Sequence, residues 1–203
     1  LDENAREDYR EKNNIPFDHK LIVFAGKIEA RKRLEDLLYA FAKAFSGTQR
    51  DNAVLAIFGG GEEAHLEALK AKAKKLGIMN SVRFCPMQPR DQLPAIFNAA
   101  DIGIWPGDAA ITAIEALSCG LPIVLPSNPG LSYVANCAGA IEFPRGDTEA
   151  LTEILSAHIN GLVVDRNQIA TGCAEKLSWH AITRDSIDIY HRCLATRTAS
   201  NVQ

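Results

Sequence analysis

The chain has 203 residues, 47 % of them apolar and 23 % charged, with a formal net charge of −3. That is enough for one large or two small globular domains with a real core, and the slight acidic surplus argues against a nucleic-acid binder or a general membrane-surface binder. No run of about 18 apolar residues occurs, so no transmembrane helix is expected, and no signal-peptide pattern opens the chain.

Residues 1–20 form a charged, helix-forming segment broken at Pro16, expected as a linker or crossing helix. Leu21–Gly26 is a continuous apolar run ended by glycine, the pattern of a parallel strand covered on both faces. Leu34, Leu37, Leu38, Phe41, Ala42 and Phe45 then recur on one face of a helix. The unit repeats: a strand at Val54–Phe58, a turn at Gly59-Gly60-Gly61, and a helical stripe through Leu66, Leu69, Ala73 and Leu76 stopped by Gly77. A short strand at Val82–Phe84 and a helix marked by Leu93, Ile96, Phe97 and Ala100 follow. Ile102–Trp105 is a further buried strand, ended by Pro106 and Gly107 because proline lacks a ladder donor and glycine tolerates positive φ. Next come a helix over about Ala110–Ser118, a stop at Gly120 and a strand at Ile123–Leu125. Ala140–Phe143 reads as a last strand, Thr148–Ile159 as a helix, and Asn167–Ala195 as two helices split near Trp179. Short strands alternating with helices predict an α/β doubly wound parallel sheet with right-handed crossovers, one domain over residues 21–203.

Ligands of such sheets bind beyond the carboxyl ends of the strands. Here those ends carry Gly26-Lys27, the triple glycine, Cys85-Pro86-Met87, Pro106-Gly107-Asp108 and Ser127-Asn128. Any one of these turns needs glycine or proline anyway; their agreement along one edge is what points to a ligand. Ala109 and Ala110 open the helix that follows Gly107, and small residues there let an anion approach unpaired N–H groups at the positive end of a helix dipole. Two turns on, Glu115 is a lone carboxylate on an otherwise apolar helix. It can accept two hydrogen bonds from a diol such as a ribose, and by spacing alone it is equally an ordinary solvated glutamate. Lys27 follows the first strand, and Arg31-Lys32-Arg33 open the next helix. Cations in a water-poor cleft stabilise the charge that develops on a departing diphosphate; the alternative is a solvated basic turn.

Other chemistries lack support. The triple glycine is neither GxGxxG nor a P-loop, which disfavours a dinucleotide enzyme. No Asp-x-Asp pair occurs, the histidines at 19, 65, 158, 180 and 191 lack metal-ligand spacing, and no GxSxG elbow is present, so neither metal nor cofactor is expected. Five cysteines (Cys85, Cys119, Cys137, Cys173, Cys193) without a CxxC pair read as mostly buried thiols in a reducing, cytoplasmic setting. The chain begins at Leu1 and not at Met, as an excised fragment would.

The run Pro106–Ser127, PGDAAITAIEALSCGLPIVLPS, resembles the signature of GT-B glycosyltransferases of the family 4 type, and the resemblance extends from about Leu21 to Leu194. It implies a Rossmann-like, C-terminal, donor-binding half of a retaining enzyme. In that family the glutamate at Glu115 binds the ribose of a nucleoside diphosphate sugar, and the amides before it, here those of Ala109, Ala110, Ile111 and Thr112, hold the diphosphate, with Gly107 and Asp108 as further substrate-binding candidates. Gly26, Lys27 and Lys32 would contact the diphosphate as well, with Lys27 where arginine is usual and Arg33 where glycine is common. Lys27, Lys32 and Glu115 are thus the catalytic candidates. The turn Val82–Gln88 would sandwich the nucleobase through Met87 and Gln88, with Pro86 in place of a usual glycine. A second glutamate of the family pattern falls on Gly107, beside Asp108. Trp179 matches a Ser-Trp segment whose aromatic ring packs. The resemblance further implies an N-terminal acceptor-binding domain outside this chain, hexosyl transfer to a glycan or lipid-linked acceptor without a metal, and membrane association only through that other half. Alone, the chain would transfer little or no sugar. A reading of another class stands beside it: a nucleotide-binding or structural domain with a decayed donor pocket, supported by Gly107 and Lys27. A sugar-nucleotide epimerase would need histidines and carboxylates that the strand ends lack, and a receiver domain would need acids where Lys27 stands.

Overall fold

The computed structural model describes residues 3–46, 52–108, 111–159 and 165–200. Six strands, β1 (Lys20–Ala25), β2 (Ala53–Phe58), β3 (Val82–Cys85), β4 (Ile102–Ile104), β5 (Ile123–Pro126) and β6 (Ala140–Phe143), form one parallel sheet in the order β3-β2-β1-β4-β5-β6. The helices are α1 (Glu3–Lys12), α2 (Leu34–Ala44), α3 (Glu63–Lys75), α4 (Leu93–Ala99), α5 (Ile111–Ser118), α6 (Ser132–Ala135), α7 (Thr148–Ile159), α8 (Arg166–Leu177) and α9 (Trp179–Ser200). The doubly wound α/β sheet is as the sequence predicts. The chain runs outward from β1 to β3 and then returns to the other side of β1 as β4, so the strand order reverses there. A crevice opens at such a switch point, beyond the carboxyl ends of β1 and β4.

Burial explains the sequence patterns. All of β2, and β1 from Leu21 to Ala25, is buried on both faces, hence their uninterrupted apolar runs. Leu34, Leu37, Leu38 and Phe41 of α2 are fully buried, and α2 packs against α7. Gly77 (φ 71°) and Gly120 (φ 69°) end α3 and α5 in the left-handed conformation that a side chain disfavours. In β4, a Cβ on Gly103 would lie 2.6 Å from the Trp105 ring. The missing side chain leaves room for that indole, which is fully buried between Phe24 and Phe97.

Two tertiary features stand apart from the sequence reading. The segment expected as a linker or crossing helix is, over α1, fastened to the C-terminal end of α4. Arg6 Nη1 donates to the carbonyls of Asn98, Ala99 and Ala100, and Arg10 Nε donates to Ala99, all at the C-terminus of α4. Arg166 adds bonds to Phe97 and Asn98 from α8. Arginines thus satisfy the carbonyls that a helix end leaves open. Asp101 balances them, 2.7 Å from both Arg6 and Arg10, and accepts from the Leu21 amide. Burial alone would raise its carboxyl, but the Leu21 amide and the two guanidiniums outweigh burial and hold it below the usual carboxylate range. The second feature is a correction: Trp179, expected to pack, is 79 % exposed. It begins α9, and among the residues of that helix with described side chains only Ala181 is buried, so nothing covers the indole within this chain's described part. Cys137 and Cys173 are buried as expected, Cys85 and Cys119 half-buried, and Cys193 is exposed. No described helix is long and apolar enough to cross a membrane.

Candidate functional site

At the switch point lies a cleft of about 250 Å³. Ala25 and Gly26, leaving β1, and Phe58, ending β2, form its floor; Met87, Gln88 and Arg90, beyond β3, form one wall; Ile111, Thr112 and Glu115 of α5 form the other. Met87 and Ile111 are 62 % and 57 % exposed and give the mouth apolar lips. Of the site residues expected from sequence, the cleft brings together Gly26, Met87, Gln88, Ile111, Thr112 and Glu115. Ala109 and Ala110 lie outside the described residues.

The first turn of α5 is held by the side chain of Thr112. Its hydroxyl donates to the Ala25 carbonyl at 2.6 Å and accepts from Trp105 Nε1 at 3.2 Å, while the same indole N–H reaches Ala25 O at 3.0 Å. The end of β1 and the start of α5 are therefore locked together, and the Thr112 hydroxyl is committed to that lock. Three residues on, Glu115 Oε1 accepts from Arg90 Nε at 2.6 Å. Arg90 is absent from the sequence reading. The sequence offered only a basic residue just past the Met87-Gln88 turn, with nothing in it to show that Arg90 meets Glu115.

The basic residues sit elsewhere. A Cβ on Gly107 would lie 2.1 Å from Arg31 O and 2.8 Å from Lys32 C, so the 106–108 turn rests directly on the 31–32 backbone. This close approach explains the glycine at position 107. The Asp108 amide donates to Arg31 O at 3.2 Å, and Lys32 Nζ donates to Asp108 O at 2.6 Å. Lys32 is only 5 % exposed; burial and then the charge of Arg31 lower its pKa, against the pull of Asp108 and Glu29. Asp108 also accepts from Arg145 Nη2 at 2.9 Å. Lys27 is well exposed and pairs with Glu29 at 2.6 Å. Glu29 also binds Arg31, and hydrogen bonds from Lys27 and Arg31 push its carboxyl down to about 2. Lys27, Lys32, Gly107 and Asp108 thus flank the cleft without lining it; Lys27 borders a neighbouring hollow with Ile28, Glu62 and His65. The triple glycine shapes this floor, as a Cβ on Gly59 or Gly61 would strike Gly26 O or Ile28 O at about 2 Å. Among the described residues no three His, Cys, Asp or Glu side chains converge as a metal set.

The crystal structure of the lipopolysaccharide-biosynthesis glycosyltransferase WaaG matches at a TM-score of 0.66 and 27 % identity, over 90 % of this chain and 48 % of that one. Anabaena HepE in complex with UDP and glucose matches at 0.70 over 98 % and 53 % of the two chains, with 17 % identity, a likeness of fold alone. The architecture is that of GT-B glycosyltransferases. Residues 5–161 match the family model of glycosyl transferases group 1, and the chain belongs to that family. It is 33 % identical over 190 residues to the D-inositol 3-phosphate glycosyltransferase of Corynebacterium jeikeium, covering 88 % of this chain and 45 % of that protein. It is 29 % identical to the lipopolysaccharide glucosyltransferase WaaG of Escherichia coli over 90 % of this chain and 47 % of that protein. The chain spans about half the length of the curated relatives it matches.

Proposed function

We propose that this chain is the donor-binding domain of a retaining glycosyltransferase and holds a nucleoside diphosphate sugar in the cleft at the switch point. The observation that carries the reading is Glu115, the only charged residue of α5, lining the same cleft as Met87 and Gln88. A ribose diol on this carboxylate would put the base against Met87, Gln88 and the apolar lips. The diphosphate would then run toward the start of α5 and the cations at 27–32, where a helix N-terminus and fixed positive charge meet the negative charge of the leaving group without a metal. HepE, which shares this fold, has been solved in complex with UDP and glucose and with UDP-glucose, which supports the choice of ligand class. The acceptor, a glycan or lipid-linked sugar, would be held by a second, N-terminal domain of the whole protein and would receive the hexosyl group in the cleft between the two domains. Free thiols at Cys85, Cys119, Cys137 and Cys173 support a reducing, cytoplasmic setting. One observation favours the rival reading of a decayed pocket: Lys27 spends its charge on Glu29.

The deciding experiment is a thermal-shift panel of UDP, GDP and ADP and their common sugar conjugates, on this chain and on Glu115→Ala. A ligand at 100 times its dissociation constant adds about 2.7 kcal/mol, on the order of 5–10 °C for a domain of this size. A shift with one nucleotide that disappears in Glu115→Ala supports donor binding. No shift with any of them at millimolar concentration refutes donor binding by this chain alone, the result expected of a decayed pocket or of one completed only by a second domain.

A further inference from the structure

Arg90 stands across the cleft from Glu115. It begins the single 3₁₀ turn Arg90–Gln92 that leads from the β3 wall into α4. Its Nε and Nη2 both approach the same oxygen, Glu115 Oε1, at 2.6 and 2.5 Å, so Oε2 is not committed to the guanidinium. The two side chains sit in different settings: Glu115 is 21 % exposed and Arg90 75 %. The pair also borders two cavities at once. One is the cleft described above; the other is a hollow of about 170 Å³ that reaches Pro94, Phe97 and Cys119. Arg90 therefore stands where it restrains the carboxylate between these two spaces.

We infer that Arg90 is a positioning residue for nucleotide recognition: by holding Glu115 Oε1 it presents Oε2 to the vicinal hydroxyls of a ribose. The inference rests on the donor-binding reading. An ionised carboxylate only accepts hydrogen bonds and a guanidinium only donates them, so the diol's two donors suit Glu115, and Arg90 serves by orienting it. A glutamate free to sample its rotamers gives up that freedom when it binds, and a tether formed beforehand removes part of this cost. The exposed ion pair is too weak to act as a lock. Its effect falls on the recognition of hydroxyls and leaves the base and diphosphate contacts alone.

The test is calorimetric binding of UDP, with GDP and ADP in parallel, and of their 2′,3′-dideoxy counterparts, to the full chain and to Arg90→Ala, Arg90→Lys and Glu115→Gln. The wild-type chain is expected to prefer the ribonucleotide. Arg90→Ala lowers that preference about threefold to fivefold, the size of an exposed ion pair, by weakening the ribonucleotide alone, and Arg90→Lys restores part of it. A generally disturbed cleft would weaken both nucleotides and leave the ratio unchanged, which overturns the inference. A preference that rises in Arg90→Ala also overturns it, since Arg90 would then compete with the ribose for Glu115. Loss of the preference in Glu115→Gln with no change in Arg90→Ala defeats the role of Arg90 and leaves donor binding standing. Absence of wild-type binding to every ribonucleotide defeats both.

Discussion

Gly107→Ala is the sharpest test of how the basic flank of the cleft is built. The added Cβ would lie 2.1 Å from Arg31 O and 2.8 and 2.9 Å from Lys32 C and Cα. All three are backbone atoms, so no flexible side chain can swing aside, and the 106–108 turn must lift off the 31–32 segment. Lifting stretches the Asp108 N to Arg31 O bond and pulls the Asp108 carbonyl away from the buried Lys32 ammonium. Overpacking costs about 1–3 kcal/mol, and a hydrogen bond to a charged group contributes about 1.5–3 kcal/mol. Because Lys32 can re-pair with water once the turn lifts, the two costs overlap, and a total of about 2–3 kcal/mol is expected. For a domain of this size that lowers Tm by about 4–12 °C. Calorimetric melting of the wild-type chain, Gly107→Ala and Gly107→Glu measures it. Gly107→Glu, whose side chain is larger still, should be destabilised at least as much. Gly107→Ala within about 0.5 kcal/mol of wild type, the range of an ordinary surface substitution, would refute the contact and the explanation of this glycine.

Asp101 ties stability to acid. Its folded carboxyl titrates below the ordinary value of 3.8, so its contribution is complete above that value and fades as pH falls through the lower folded one. Asp101→Asn, which leaves the buried Arg10 its carbonyl partners but removes its counter-ion, should cost about 3 kcal/mol at neutral pH and flatten the acid limb of the stability curve. Urea unfolding from pH 7 to pH 2 reads both, and parallel curves for the two chains would contradict the assignment. Thr112→Val removes the hydroxyl between Trp105 Nε1 and Ala25 O but keeps the direct indole bond to that carbonyl. A loss of about 1 kcal/mol in urea unfolding is expected; an unchanged midpoint would show that the hydroxyl does not hold α5 to β1.

The layers of the fold are legible in local patterns because burial is periodic. Val54–Phe58 is apolar at every position because β2 is covered on both faces, and Leu34, Leu37, Leu38 and Phe41 follow the helical period because α2 buries one stripe. Ala140–Phe143 and Thr148–Ile159 have the same bounds in sequence and in structure. Glu115 is legible for a related reason: a lone charge in an apolar helix has to face something other than the core. What it faces is not legible. Arg90 lies 25 residues away, and only the reversal of strand order at β1 brings the end of β3 and the start of α5 to one cleft. The same holds for Lys32, a surface cation by composition that the 106–108 turn covers, and for Gly107, whose glycine is required by a backbone segment some 75 residues distant. Arg6 and Arg10 read as helix charges, yet their partners are the carbonyls at the far end of α4. The buried faces of β1, β2 and α2 follow from the sequence, since they depend on spacing along one strand or helix, whereas the exposure of Trp179 and the burial of Arg10 do not. Tertiary structure alone decided which charges meet, since a side chain finds its partner only after the crossovers have placed distant strand ends side by side.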